Sequence, residues 1–300
     1  MCDDFTEESN ARWIAAGKLS RRNFGMLGTG AAAFAALPGC MTGAGTGGET
    51  PVTGAETKSQ TVTITTPDGT ADAFFVHPVT GRQPAVIMWP DIAGLRDAYK
   101  TMGTRLAAAG YAVLVVNQYY RSSPAPIVAT MSDWRTPEGQ AKIKPMIARI
   151  DTPGIARDAA AFVAWLDGQP QVDTARKVGT AGYCMTGPYI IRTAAAVPAR
   201  VGAACSFHGA DLVSDTPDSA HHLIPAVQAA MLIAIAQNDD AKDPNEKVLL
   251  RQTVDTAKRK AEIEVYPAQH GWCTIDSPVY DEPQAERAWG RMLATLSANL

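Results

Sequence analysis

Residues 177–187 read Lys-Val-Gly-Thr-Ala-Gly-Tyr-Cys-Met-Thr-Gly, and few folds can use such a stretch. A short strand-forming run ends at Gly182-Tyr183, Cys184 follows between small residues, and residues 190–196 have helical composition. A strand that turns sharply into a helix lifts the residue at the turn above the sheet edge, and the tight backbone demands small flanks. A thiol held there can attack a carbonyl while the next backbone N–H points at the same group. Farther along come an acid, Asp239, and then a histidine, His270. Nucleophile, acid and base in that chain order differ from the orders used by chymotrypsin-like and subtilisin-like enzymes.

The surrounding pattern predicts the sheet such a turn requires. Residues 61–65 and 73–77 flank Pro67-Asp68-Gly69-Thr70 and read as a hairpin. Residues 85–89 and 112–116 are unbroken apolar runs of strand length, the mark of strands covered on both faces. Residues 178–183, 203–207, 231–236 and 263–266 are further strand-like runs. Helical spacing appears between them at Met102, Leu106 and Ala109, at Ile155, Ala159, Phe162, Val163 and Leu166, and at Ala285, Trp289, Met292, Leu293 and Leu296. The expected fold is therefore α/β, a mostly parallel, doubly wound sheet with helices on both faces. Residues 117–153 show no strand and are expected to form a loop-and-helix excursion beside the site. Ligands bind at the carboxyl ends of strands in such sheets. Asp91, Arg121, Cys184, His208, Asp239 and His270 each follow a strand run by a few residues, so they should gather on one edge.

Composition narrows the partners. The chain has 300 residues, 46% hydrophobic and 19% charged, and its net charge of −3 offers no basic field for nucleic acid. No apolar run reaches the roughly 18 residues of a membrane span. The five cysteines are too scattered for a disulfide framework and include no metal-type Cys-x-x-Cys pair, so neither a metal nor a cofactor is expected. Residues 1–40 read as an export signal: Arg21-Arg22 precedes a weakly apolar, Ala/Gly-rich run, as in twin-arginine leaders. Leu37-Pro38-Gly39-Cys40 resembles a bacterial lipobox, so Cys40 is a possible lipid anchor. The expected location is outside the cytoplasm of a bacterium, periplasmic or membrane-anchored. Residues 41–60, rich in Gly, Thr and Ala, read as a flexible linker, which leaves residues 61–300 as a single domain.

Several segments together resemble the dienelactone hydrolase family, the cysteine-nucleophile branch of the α/β-hydrolases. They are Gly182-Tyr183-Cys184-Met185-Thr186-Gly187, Trp89-Pro90-Asp91-Ile92-Ala93-Gly94-Leu95, Ala109-Gly110-Tyr111, Tyr119-Tyr120-Arg121 and Tyr266-Pro267-Ala268-Gln269-His270-Gly271. The resemblance implies the α/β-hydrolase fold and a triad of Cys184, Asp239 and His270. It places the family's buried carboxylate on Asp91, where other members have glutamate, and its substrate-binding arginine on Arg121. Thr186 stands where a glycine is usual. In the acid segment, counting from Ala236 selects Asp239 and counting back from Pro244 selects Asp240; the position directly after the strand favours Asp239.

These residue types suit the chemistry. The thiolate is the attacking species, His270 can take its proton, and a carboxylate behind the imidazole fixes its tautomer. The backbone N–H groups of Ile92 and Met185 are the natural oxyanion donors. Arg121 would offer a fork to a substrate carboxylate, and Asp91 lies close enough to gate the thiol. The expected activity is hydrolysis of a small ester or lactone through an acyl-cysteine intermediate. A tethered non-catalytic binding protein on the same fold, and an acyl transferase or thioesterase, are the alternatives.

Overall fold

The computed structural model describes residues 4–24 and 54–300, with side chains of the first helix described over residues 5–15. Residues 25–53, including Cys40 and most of the expected linker, lie outside the described residues. Helix α1 (Asp4–Phe24) comes first and carries Arg21 and Arg22 near its end. The hairpin β1 (Thr57–Thr66) and β2 (Gly69–Pro78) opens the sheet, so the strand takes in the last residues of the expected linker. Then follow β3 (Ala85–Trp89), α2 (Asp97–Ala108), β4 (Ala112–Val116), α3 (Met131–Trp134), α4 (Pro137–Ile147) and α5 (Thr152–Asp167). After β5 (Val178–Tyr183) a single 3-10 turn, Cys184–Thr186, leads into α6 (Tyr189–Ala196). The chain finishes with β6 (Val201–Phe207), β7 (Ala230–Ala236), α7 (Gln237–Lys242), α8 (Glu246–Thr256), β8 (Ala261–Tyr266) and α9 (Glu282–Asn299).

The eight strands form one sheet in the order β1-β2-β4-β3-β5-β6-β7-β8. The hairpin pairs antiparallel and β2 joins β4 antiparallel, while every later pairing is parallel. All residues of β3, β4 and β5 are buried, as their unbroken apolar runs require. Side chains alternate between two cores. Val86 and Met88 face α2 and α9 through Met102, Leu106, Ala288 and Met292. Ile87 and Trp89 face α5 through Ile155, Phe162 and Leu166, and beyond them Ile233 and Ile235 meet α6 and α8 through Ile190 and Leu250. At the outer strand β8, Glu262 and Glu264 pair with Arg291 and Arg287 of α9.

Register sets the active edge. Trp89 lies opposite Gly182, Tyr183 opposite Phe207, and Ala236 opposite Tyr266, so the carboxyl ends of five parallel strands finish level. The loop segment 117–130 and helices α3 and α4 lie beyond this edge, and no strand occurs there, as expected. Helix α1, within the span read as an export signal, packs on the domain. Thr6 and Asn10 are buried against the domain, where α1 packs on α7. Among the described residues no helix is long and apolar enough to cross a membrane.

Candidate active site

Cys184 sits at φ 56°, the left-handed region that a side-chain-bearing residue enters at a cost of about 1–2 kcal/mol. Close packing around the turn holds it there. A Cβ on Gly182 would lie 2.3 Å from the carbonyl oxygen of Thr186, and one on Gly187 would lie 2.2 Å from the Cα of Gly209. The elbow thus demands glycine at those two places, and not at position 186. Thr186 is fully buried and turns its hydroxyl back into the sheet. That hydroxyl accepts the Tyr183 N–H at 3.0 Å and donates to the carbonyl of Trp89 at 2.8 Å.

His270 follows β8 and lies buried beside the thiol. The sulfur of Cys184 and ring nitrogens of His208 and His270 lie within 4.8 Å of one another. His270 Nδ1 bonds the Asp239 carboxylate at 2.7 Å, and its backbone N–H donates to Asn238 Oδ1 at 2.8 Å. Of the two candidate acids, Asp239 is the one that meets the imidazole, while Asp240 turns away and forms an ion pair with Lys247 at 2.5 Å. Burial works against a charged His270, but the negative charges of Asp239 and of a Cys184 thiolate outweigh it and push the imidazole up to about 10. His208 shows the opposite balance. It is buried at φ 41°, with its ring 4.8 Å from that of His270, and burial lowers its pKa so that it stays neutral. Cys184, His208 and His270 are also the kind of donor set a thiophilic cation accepts.

Asp91 reaches the site but is heavily engaged. Arg96 grips it with two bonds of 2.7 and 3.0 Å, and the N–H of Ala93 donates to it at 2.9 Å. Arg96 is fully buried and also forks onto Asp276 at 2.7 and 2.8 Å. A carboxylate held this way shapes the 91–96 loop, a different task from the thiol gate expected of it. The loop in turn positions Ile92, whose carbonyl accepts the Tyr119 hydroxyl at 2.7 Å. The N–H of Met185, in the first turn of the 3-10 segment, has no intrahelical acceptor to satisfy. Ile92 and Met185 thus flank the site on the two loops from which the oxyanion donors are expected.

Arg121 requires a correction. Its guanidinium is bidentate with Asp158 of α5 at 2.8 and 2.9 Å, bonds Asp68 of the hairpin turn at 2.5 Å, and lies over the Tyr120 ring. It lines no part of the cavity around Cys184 and ties the loop after β4 to its neighbours. That cavity, of about 330 Å³, is bordered by Asp91, Cys184, His208 and His270 and also by Arg135 of the 117–153 excursion and by Glu7 and Asn10 of α1. A larger apolar cavity of about 490 Å³ between α2 and α9 contains none of the groups brought together here. Arg135, the α1 contacts and the Arg96–Asp276 pair escape a sequence reading because they act across long chain separations. Only the short Asp91–Arg96 spacing could have flagged one of them.

Comparison with known proteins agrees with this fold. The model of the dienelactone hydrolase family matches residues 71–300. A Salmonella typhi protein named "Putative carboxymethylenebutenolidase" is 26% identical over 228 residues, covering 74% of this chain and 80% of its own. A Bradyrhizobium protein named "Probable 2-oxo-3-(5-oxofuran-2-ylidene)propanoate lactonase" is 24% identical over 234 residues, covering 76% and 89%. Among solved structures, the "Putative Dienelactone Hydrolase" of Klebsiella pneumoniae superposes with a TM-score of 0.70 at 21% identity, over 81% of this chain and 99% of that one. A dienelactone hydrolase-like promiscuous phosphotriesterase from metagenomic libraries superposes at 0.65, also at 21% identity, over 81% and 98%. These likenesses share the α/β-hydrolase architecture built above. With the family model spanning residues 71–300, more than three quarters of the chain, the chain belongs to the dienelactone hydrolase family, enzymes that hydrolyse esters and lactones.

Proposed function

We propose that this protein hydrolyses a carboxylated ester or unsaturated lactone through an acyl-cysteine intermediate on Cys184. The observation that carries this reading is the buried chain from Cys184 through His270 to Asp239 at the end of the parallel strands. His270 takes the thiol proton, and the thiolate adds to the substrate carbonyl. The N–H groups of Ile92 and Met185 receive the resulting oxyanion; losing one such donor typically costs about 2.7–4 kcal/mol of transition-state stabilisation. As the tetrahedral adduct collapses, the imidazolium protonates the leaving alkoxide and a thioester remains. His270 then removes a proton from water, the hydroxide attacks the thioester, and Cys184 leaves as thiolate. Asp239 keeps the imidazole in the tautomer both halves require. The relatives' names, a butenolidase and a lactonase of an oxofuran-ylidene propanoate, favour an unsaturated lactone as the substrate class.

We also infer that the protein is exported. The support is sequence alone: Arg21-Arg22, the Ala/Gly-rich run after them, and Cys40 as a candidate lipid attachment point. Turnover of aryl esters and enol lactones by the purified protein, beside Cys184→Ala, tests the chemistry. A covalent adduct equal to the acyl group, seen by intact mass on acid quench and absent from Cys184→Ala, is the expected result. Undiminished hydrolysis by Cys184→Ala would refute it.

A further inference from the structure

Helix α1 stops the mouth of the Cys184 cavity. Asn10 is 4% exposed; its side-chain amide donates to the carbonyl of His270 at 3.0 Å and accepts from Asn238 at 3.4 Å. Ser9 donates to Gln269 at 3.1 Å. The helix therefore grips the residues that position His270. One turn earlier, Glu7 reaches across the opening to Arg135, which donates from Nε at 2.9 Å and from Nη2. Glu7 and Arg135 both line the cavity that holds the thiol, so a carboxylate–guanidinium pair facing that space joins α1 to the catalytic domain.

The joint is built to part. Among the described residues, the contacts that join α1 to the domain include these hydrogen bonds and a partly exposed ion pair, a class that stabilises weakly in water. Among the described side chains of the helix, the aromatic Phe5 and Trp13 stay 47% exposed instead of anchoring it. Yet Thr6 and Asn10 are buried where they touch the domain, so the fit is specific.

We propose that α1 is an internal plug: Glu7 occupies, on Arg135, the place of a substrate carboxylate, and the site opens when the amino-terminal segment is displaced or removed. This deepens the proposed hydrolysis at Cys184 and rests on it. Arg135 becomes the anion-binding group that Arg121 is not. The precursor would be held inactive where it is made, and removal of a leader containing α1 would release activity.

The test uses the full-length chain and two readouts. The rate of Cys184 alkylation by iodoacetamide, followed by peptide mapping, reports access without any substrate. Hydrolysis of an aryl ester bearing a free carboxylate, against its methyl ester, reports the anion subsite. Glu7→Ala and Asn10→Ala should each speed alkylation by up to about tenfold, the scale of one buried or charge-assisted hydrogen bond. Arg135→Ala should also speed alkylation but erase the preference for the carboxylated ester. The exchange Glu7→Arg with Arg135→Glu should restore slow alkylation without restoring that preference. Unchanged alkylation in Glu7→Ala and Asn10→Ala, or a preference that survives Arg135→Ala, would overturn the proposal. Faster alkylation with neither ester cleaved by any variant would instead uphold the plug and count against the hydrolytic reading.

Discussion

The hydroxyl of Thr186 donates to the carbonyl of Trp89 at 2.8 Å, and so stitches the turn that carries Cys184 to the end of the neighbouring strand. It also accepts the Tyr183 N–H, so one side chain satisfies two backbone groups at a place where the sheet ladder stops. Thr186→Val keeps the shape and leaves both groups buried and unpaired. The expected loss is about 1–3 kcal/mol for each group left unsatisfied, read by denaturant unfolding. Thr186→Ser should be close to neutral; equal losses from both would show that the methyl group, not the hydroxyl, matters.

Asp239 and Asp240 are adjacent in the chain but serve different partners. Asp239→Asn removes the carboxylate from His270 and should lower kcat by about 10⁴-fold, the effect seen when a triad acid is neutralised. Asp240→Asn only weakens a partly exposed pair with Lys247 and should leave kcat nearly intact. Steady-state kinetics on one aryl ester decides between them, and the reverse pattern would move the triad acid to Asp240.

His270 is raised to about 10 in the folded protein from its ordinary 6.5. A histidine raised on folding contributes stability that is fully present below pH 6.5 and lost as the pH climbs through about 10. The imidazolium that protonates the leaving group should likewise persist well above neutral pH. The alkaline limb of kcat/KM is therefore expected near 10, and Asp239→Asn should draw it toward neutrality. A limb near 6.5 in the parent enzyme would contradict this electrostatic account.

Arg121 makes a prediction opposite to the one its sequence position invites. Arg121→Ala strands the buried Asp158 carboxylate and leaves Asp68 of the hairpin turn held by Arg157 alone. Removing one member of a buried pair costs about 3–5 kcal/mol, so the melting temperature should fall clearly. The KM values for a carboxylated ester and its methyl ester should move together, within about twofold or 0.4 kcal/mol. A selective rise for the carboxylated ester would return Arg121 to the binding site.

The strands of this fold announce themselves because a sheet covered on both faces needs unbroken apolar runs, as in residues 85–89 and 112–116. The proposed triad is equally open to reading, since Cys184, Asp239 and His270 all fall within four residues of the ends of β5, β7 and β8. Arg121 misled because an arginine's reach extends to either side of its loop, and its partners Asp68 and Asp158 are remote in the chain. Helix α8 gives a faint signal: only Leu250 and Val254 are buried, while Val248 and Leu249 are exposed and blur its stripe. Helix α1 docks through Glu7, Ser9 and Asn10, polar residues that leave no apolar periodicity to detect.

The strand β8 ends the parallel run with an open row of backbone donors and acceptors, the kind of border along which folded chains stick together. Glu262 and Glu264 stand along that border, each tethered by an arginine of α9. A second molecule approaching to extend the sheet would have to bring its strand past this alternating charge and strip water from it. The same four residues that dress the rim thus guard colloidal behaviour. Neutralising both glutamates should leave the fold standing while making concentrated solutions prone to fibrous precipitation.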